Sequence, residues 1–268
     1  MKNKRIFFVV ILLILGTFLY TQTPNDFKID LSRNADAITI TGYSGNAIKV
    51  VIPDEIEGIP VRTIGETAFL GNKNIIEVII PDTVNTIYGA MSGYGRGAFR
   101  NCIKLTSVTI PNSVTVIGDG AFAGCTSLVS ISIPDSVTKI GESAFNGCTN
   151  LTSINIPNSI TTIGTRTFAG CYKLTSLIIP EGVRAIGTGA FADCRDLISI
   201  SIPKSITVIG FQAFANCSNL TMVTLEDEAK IRFEIDINNN RYTQFFSCGK
   251  LDVRSQIALK RAGFPGEF

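Results

Sequence analysis

Proline recurs at Pro111, Pro134, Pro157, Pro180 and Pro203, a strict 23-residue step that constrains the fold more than any other feature of the chain. Phenylalanine keeps the step at Phe99, Phe122, Phe145, Phe168, Phe191 and Phe214, and cysteine keeps it at Cys102, Cys125, Cys148, Cys171, Cys194 and Cys217. Three unrelated residue types in one register mean one structural unit copied along the chain. A full unit runs Leu128, Ile131, Ile133, Pro134, Val137, Ile140, Gly141, Ala144, Phe145 and Cys148, with mostly small or polar residues between.

Alternation at Ile131 and Ile133 predicts a short strand with one face buried. Pro134 has no N–H to give to a ladder and ends that strand. Val137 and Ile140 return the chain along a second side, Gly141 is read as a turn, and Ala144 to Cys148 as a tight helical or 3₁₀ turn. Each unit is then one coil of an α/β repeat solenoid. One coil cannot bury its own apolar edge, so coils stack and their strands form a parallel sheet with about 4.8 Å between neighbours. The stacked phenylalanines become an aromatic spine. Strands are expected at 47–52, 75–80, 105–110, 128–133, 151–156, 174–179, 197–202 and 220–225. The two early steps are longer, with extra residues near Glu57 to Val61 and near Gly89 to Gly95.

With 45% hydrophobic and 17% charged residues, the 268-residue chain can bury a continuous core. It has no histidine, which removes the usual general base, nucleophile activator and neutral metal ligand. Three cations, Lys2, Lys4 and Arg5, sit at the N-terminus, so the rest is close to neutral and no nucleic-acid partner is expected. Residues 1–23 read as an export signal: those cations, then an apolar run from Ile6 to Leu15 that continues patchily to Tyr20. The run is short for a spanning helix, which favours cleavage over retention as an anchor, so contact with a membrane is expected only if it is uncleaved. The organisation is a signal or anchor at 1–23, an N-terminal cap at 24–46 with a strand from Ala37 to Thr41, a solenoid at 47–225, and a C-terminal cap at 226–268. A helix is expected from Leu251 to Ala262, with Leu251, Ile257, Leu259 and Phe264 closing the end.

The segment "LVSISIPDSVTKIGESAFNGC" resembles the repeat of BspA-like, or Treponema-type, leucine-rich-repeat proteins, and "VVIPDEIEGIPVRTIGETAF" is similar to their first repeat. The resemblance covers roughly residues 47–225 and departs from the pattern at Asn72 for Cys, Tyr88 for Gly and Thr167 for Ala. It implies a right-handed leucine-rich-repeat horseshoe with a parallel concave sheet and short turns on the convex side. It also implies a place on, or secretion from, the cell and a role in adhesion to host matrix proteins or other cells. It brings no catalytic residues and no cofactor.

On the strands, the positions pointing away from the core are Lys49 and Val51, Glu77 and Ile79, Ser107 and Thr109, Ser130 and Ser132, Ser153 and Asn155, Ser176 and Ile178, Ser199 and Ser201, then Met222 and Thr224. This hydroxyl stripe reads either as a concave binding face for an extracellular protein or cell-surface ligand, or as soluble strand filler. Lys49, Val51, Glu77 and Ile79 are the stronger candidates for specificity. Tyr88, Met91 and Tyr94, in the glycine-rich insertion, form a candidate recognition loop or a tolerated surface insertion. The cysteine ladder reads as buried thiols, since in-register side chains point in parallel and no Cys-x-x-Cys or histidine offers a metal site. Cys248 falls outside the ladder step. Carboxylates such as Asp135, Glu142 and Glu181 are spread by the repeat register, and neither they nor the Asp236, Arg241 and Tyr242 segment supplies an acid and base pair, so no enzyme is expected. The alternative to adhesion is a self-associating envelope scaffold held by the apolar N-terminus.

Overall fold

The motif P-x-x-V, G-x-x-A, F-x-x-C and C-x-x-L spaces its fixed residues by three, the interval of a turn closed by an i to i+3 hydrogen bond. The computed structural model describes residues 22–89, 95–225, 231–234, 244–245 and 247–266. In it each interval is such a turn. Val137 N donates to Pro134 O, Ala144 N to Gly141 O, Cys148 N to Phe145 O and Leu151 N to Cys148 O, at 3.0 to 3.3 Å, and neighbouring coils repeat the set. The segment expected to be a helical or 3₁₀ turn is a run of these single turns. Its remaining amides bond to the next coil, as Phe122 N does to Ala144 O at 2.8 Å.

Two parallel ladders run along the stack. The expected one contains Lys49–Val51, Glu77–Ile79 and Ser107–Thr109, then Ser130–Ile131 with Ser153–Ile154, then Ser199–Ile202 with Met222–Leu225. It is interrupted twice, and Ile178 joins it only through an isolated bridge to Ser201. The second ladder, on the return side, has strands of two residues in most coils. It pairs Ile59–Ile64, Thr86–Ile87, Val116–Ile117 and Lys139–Ile140, and then separately Thr162–Ile163, Ala185–Ile186, Val208–Ile209 and Arg232–Phe233. The registers are in step, Val116 against Lys139 and Ala185 against Val208.

Between the ladders lies the core. Phe69, Phe99, Phe122, Phe145, Phe168, Phe191 and Phe214 stack with ring centroids 5.0 to 5.7 Å apart and nearly parallel planes. Gly141 opens a turn, as expected, with Ala144 N donating to its carbonyl; it is glycine for close packing, since a Cβ there would lie 2.4 Å from Asp119 N, and Gly187 and Gly210 likewise abut the preceding coil. The left-handed positions lie elsewhere, two residues after that glycine at Gly120, Ser143, Arg166, Gly189 and Gln212, and two after the phenylalanine at Gly124, Gly147, Gly170, Asp193 and Asn216.

Both ends continue the stack with altered spacing. Phe27–Leu31 pairs antiparallel with Ile38–Tyr43, and Tyr43 places its ring 5.5 Å from Phe69 at the head of the spine. The extra residues near Glu57 form a hairpin, Glu55–Ile56 against Ile59–Ile64, turning on Glu57 and Gly58, both at positive φ. At the other end Phe245 stacks on Phe214 at 5.1 Å and the Cys248 thiol donates to Phe214 O at 3.0 Å. Cys248 is therefore a ladder residue, and Phe245, Cys248 and Leu251 form the turns of one further coil. A helix, Val253–Arg261, follows, with Asp252 as N-cap accepting from Ser255 N at 2.6 Å. Leu251, Leu259 and Phe264 are buried, but Ile257, expected to help close the end, is 47% exposed. It lies on the solvent side with Val253, because Ser255 and Leu259 take the inward face.

Candidate functional site

On the first ladder, period-2 alternation puts one side chain in and the next out. In the row that starts at Lys49, Ser107, Ser130, Ser153 and Ser176 are exposed, while Glu77 and Ser199 are half-buried. In the row that starts at Val51, Thr109, Ser132, Asn155, Ile178 and Ser201 are exposed, while Val51 and Ile79 are half-buried. The structure thus brings the predicted face together as two parallel rows. Ile178 is 82% exposed and Met222 48%, apolar points within a polar surface.

Some of these residues are already engaged. Lys49 and Glu77 face each other in register and pair at 2.9 Å, so each offsets the other's charge. At their exposure such a pair adds little stability. Asn155 spans the ladder with its amide, accepting from Ile133 N at 2.9 Å and donating to Ile133 O at 2.6 Å. It does the work of a missing backbone pair. Likewise, Gln22 binds both Val51 N and Val51 O at the ladder's first edge, and the buried Ser255 hydroxyl accepts from Val223 N at 2.8 Å at its last. Neither Gln22 nor Ser255 carries a local sequence signal; both are recognisable only once the edges are known.

Of the candidate loop, Tyr88 is exposed, and Gly89 bridges Gly97 at the loop's base, while Met91 and Tyr94 lie outside the described residues. Gly89 and Gly97 approach the backbone of Asp119 and Gly120 so closely that no Cβ fits. Residues 1–21 and the Asp236, Arg241 and Tyr242 segment also lie outside the described residues.

All seven cysteines are buried and in the thiol form. Each ladder thiol donates to the phenylalanine carbonyl of the preceding coil, as Cys125 does to Phe99 at 3.1 Å and Cys148 to Phe122 at 3.2 Å. That carbonyl already accepts the i to i+3 bond, so the thiol fills its second lone pair. Burial pushes the Cys102 and Cys148 thiols up to about 12. Burial also raises Cys125, Cys171 and Cys194, and a hydrogen bond with Cys248, followed by burial, raises Cys217. Such thiols are neither nucleophiles nor metal ligands at neutral pH. Among the described residues no cluster of three or more His, Cys, Asp or Glu could hold a metal ion, and no helix is long and apolar enough to cross a membrane.

Two parallel ladders and coils of 23 residues define a leucine-rich-repeat solenoid. The family model for the BspA type leucine rich repeat region matches in six copies over residues 28–91 and 93–221, and the chain belongs to that family. Proteins built from this repeat are typically protein-interaction scaffolds without catalytic activity. The leucine-rich-repeat protein of T. pallidum is 29% identical, with a TM-score of 0.71, covering 92% of this chain and 98% of its own. A leucine-rich repeat protein from Eubacterium ventriosum is 27% identical, TM-score 0.56, over 72% of this chain and 51% of its own. One from Bacteroides ovatus, 22% identical with a TM-score of 0.55 over 87% of this chain and 75% of its own, shares the fold. No curated protein matches the chain.

Proposed function

We propose that the chain is an exported or cell-surface protein that binds other proteins through the face of its first ladder, in adhesion to host matrix or to cells. The observation that carries this reading is Ile178, an isoleucine 82% exposed between the polar Asn155 and Ser201 of its row. Core packing does not require it there, and with Met222, 48% exposed on the same face, it gives the hydroxyl rows apolar contact points for a partner. The cationic and apolar N-terminal segment supports export, and the absence of histidine is in keeping with binding rather than catalysis.

The test is a binding screen of residues 22–268 against immobilised matrix proteins and whole cells, beside variants Ile178→Ser and Ser130→Glu with Ser153→Glu. Asn155 stays in place, because its amide holds the ladder. Saturable binding that the variants abolish is the expected result. Binding that survives both would move the contact off this face, and no binding at all would leave the self-associating scaffold as the better account.

A further inference from the structure

The second ladder has one break, between Lys139–Ile140 and Thr162–Ile163, and the sequence contains its cause. In the neighbouring coils Thr138 N bonds to Thr115 O and Gly141 N to Ile117 O, while Arg184 N bonds to Thr161 O and Gly187 N to Ile163 O, at 2.8 to 2.9 Å. The equivalent bonds across the break, from Thr161 N to Thr138 O and from Gly164 N to Ile140 O, are not made. The two lips therefore expose acceptors on one side and donors on the other. Gly164 is correspondingly loose: an added Cβ would meet nothing nearer than 3.3 Å, against 2.3 Å at Gly141 and 2.8 Å at Gly187. A cleft of about 320 Å³ opens between the lips, lined by Thr138, Lys139, Ile140, Thr161, Thr162 and Gly164 among others.

Thr167 stands where the lips part. It occupies the position filled by Ala121, Ala144, Ala190 and Ala213 in other coils, and it is fully buried. Its hydroxyl donates to Gly164 O at 3.0 Å and lies 3.5 Å from Gly141 O, between the two glycines that pack directly on the preceding coil elsewhere. The spine is widest at this coil, 5.7 Å from Phe145 to Phe168.

We infer that this seam is a binding slot for the carboxamide of a partner polypeptide's asparagine or glutamine. The chemistry is on the molecule itself. At two places on the first ladder a side-chain amide supplies the matching donor and acceptor to one residue's backbone, Gln22 at Val51 and Asn155 at Ile133. The seam leaves acceptors on one lip and donors on the other, and among the described residues none bonds to them. Its volume equals that of about ten waters at ~30 Å³ each, enough for one such side chain and its flanking backbone. Thr138, Thr161 and Thr162 line it together with Lys139, Asp119 and Glu142, a mixture of hydroxyls and both signs of charge that suits a neutral guest with a donor and an acceptor. The seam lies on the second ladder, so its occupancy is independent of the role proposed for the Ser130 and Ile178 face.

The experiment uses hydrogen exchange and amide chemical shifts on the full chain. Thr161 and Gly164 amides should exchange faster than those of Arg184 and Gly187, by on the order of tenfold or more. The peptide acetyl-Gly-Gln-Gly-amide should slow them and shift them saturably, while acetyl-Gly-Glu-Gly-amide should not. Thr167→Ala, which restores the residue of the other coils, should close the seam and abolish both effects; Thr167→Val, which keeps the bulk, should leave the amides fast. Equal protection of all four amides in the native protein would overturn the seam. An equal response to both peptides, or a response to glucose alone, would overturn the carboxamide assignment.

Discussion

Moving the protein from about pH 8 to about pH 10 loads the thiol ladder in a way the structure makes quantitative. Six ladder thiols, Cys102 to Cys217, have folded-state values raised above the ordinary 9.0, to about 12 for Cys102 and Cys148. A raised value means the folded state keeps a proton that the unfolded state releases. The stabilisation is therefore complete below pH 9, and is lost as the pH rises toward the folded-state values. Across those two pH units the thiols held up to about 12, Cys102 and Cys148, each shift the balance by roughly 1 kcal/mol, and the other four act in the same direction. A domain's whole stability is about 5–15 kcal/mol. Urea unfolding followed by circular dichroism over this range should show stability falling by several protons' worth per pH unit at the alkaline end. The triple variant Cys125→Ala, Cys148→Ala, Cys171→Ala should halve that slope. A wild-type slope of one proton or less, or an unchanged slope in the variant, would refute the assignment of buried, protonated thiols to the folded state.

Three further outcomes follow from the packing. Phe145, buried between Phe122 and Phe168 at 5.5 and 5.7 Å, should cost about 3–5 kcal/mol when changed to alanine, read as a lower denaturation midpoint. Arg166→Gly should raise that midpoint by about 0.5–1 kcal/mol, since Arg166 sits at φ 53° where the equivalent residue in two other coils is glycine. Gly141→Ala should destabilise by about 1–3 kcal/mol through its collision with Asp119, whereas Gly249→Ala, with no atom within 4 Å, should be near neutral by the same measure.

The first ladder was legible because Ile131 and Ile133 alternate with serines, and period 2 is the plainest signal a strand gives. The second was not. Strands as short as Val116–Ile117, approached from a proline turn, leave spacings of three rather than an alternation. The additional coil hid for a different reason: Phe245, Cys248 and Leu251 repeat the F-x-x-C-x-x-L pattern of Phe214, Cys217 and Leu220, but 31 residues later instead of 23. The turn at Gly141 is legible, but the reason for glycine there is not: sequence shows that a Cβ is missing without showing why, and a close approach and a positive φ ask for the same residue. At the candidate face the rows were legible while their occupancy was not. That Asn155 bridges Ile133, and that Lys49 and Glu77 neutralise each other, depends on register between coils that the linear pattern leaves unstated.

The side chains that close the first ladder, Gln22 at Val51 and Ser255 at Val223, also bear on how the molecule can grow. An open parallel edge would invite a second copy to continue the ladder end to end as a filament. With Val51 and Val223 engaged in this way, the first ladder offers a second copy no free backbone at those two residues. Coils duplicated or deleted between Pro111 and Pro203 leave the two stoppers untouched, so reach can change in steps of about 4.8 Å without creating a sticky end. The repeat thus behaves as a ruler whose graduations are free to vary while its ends stay finished.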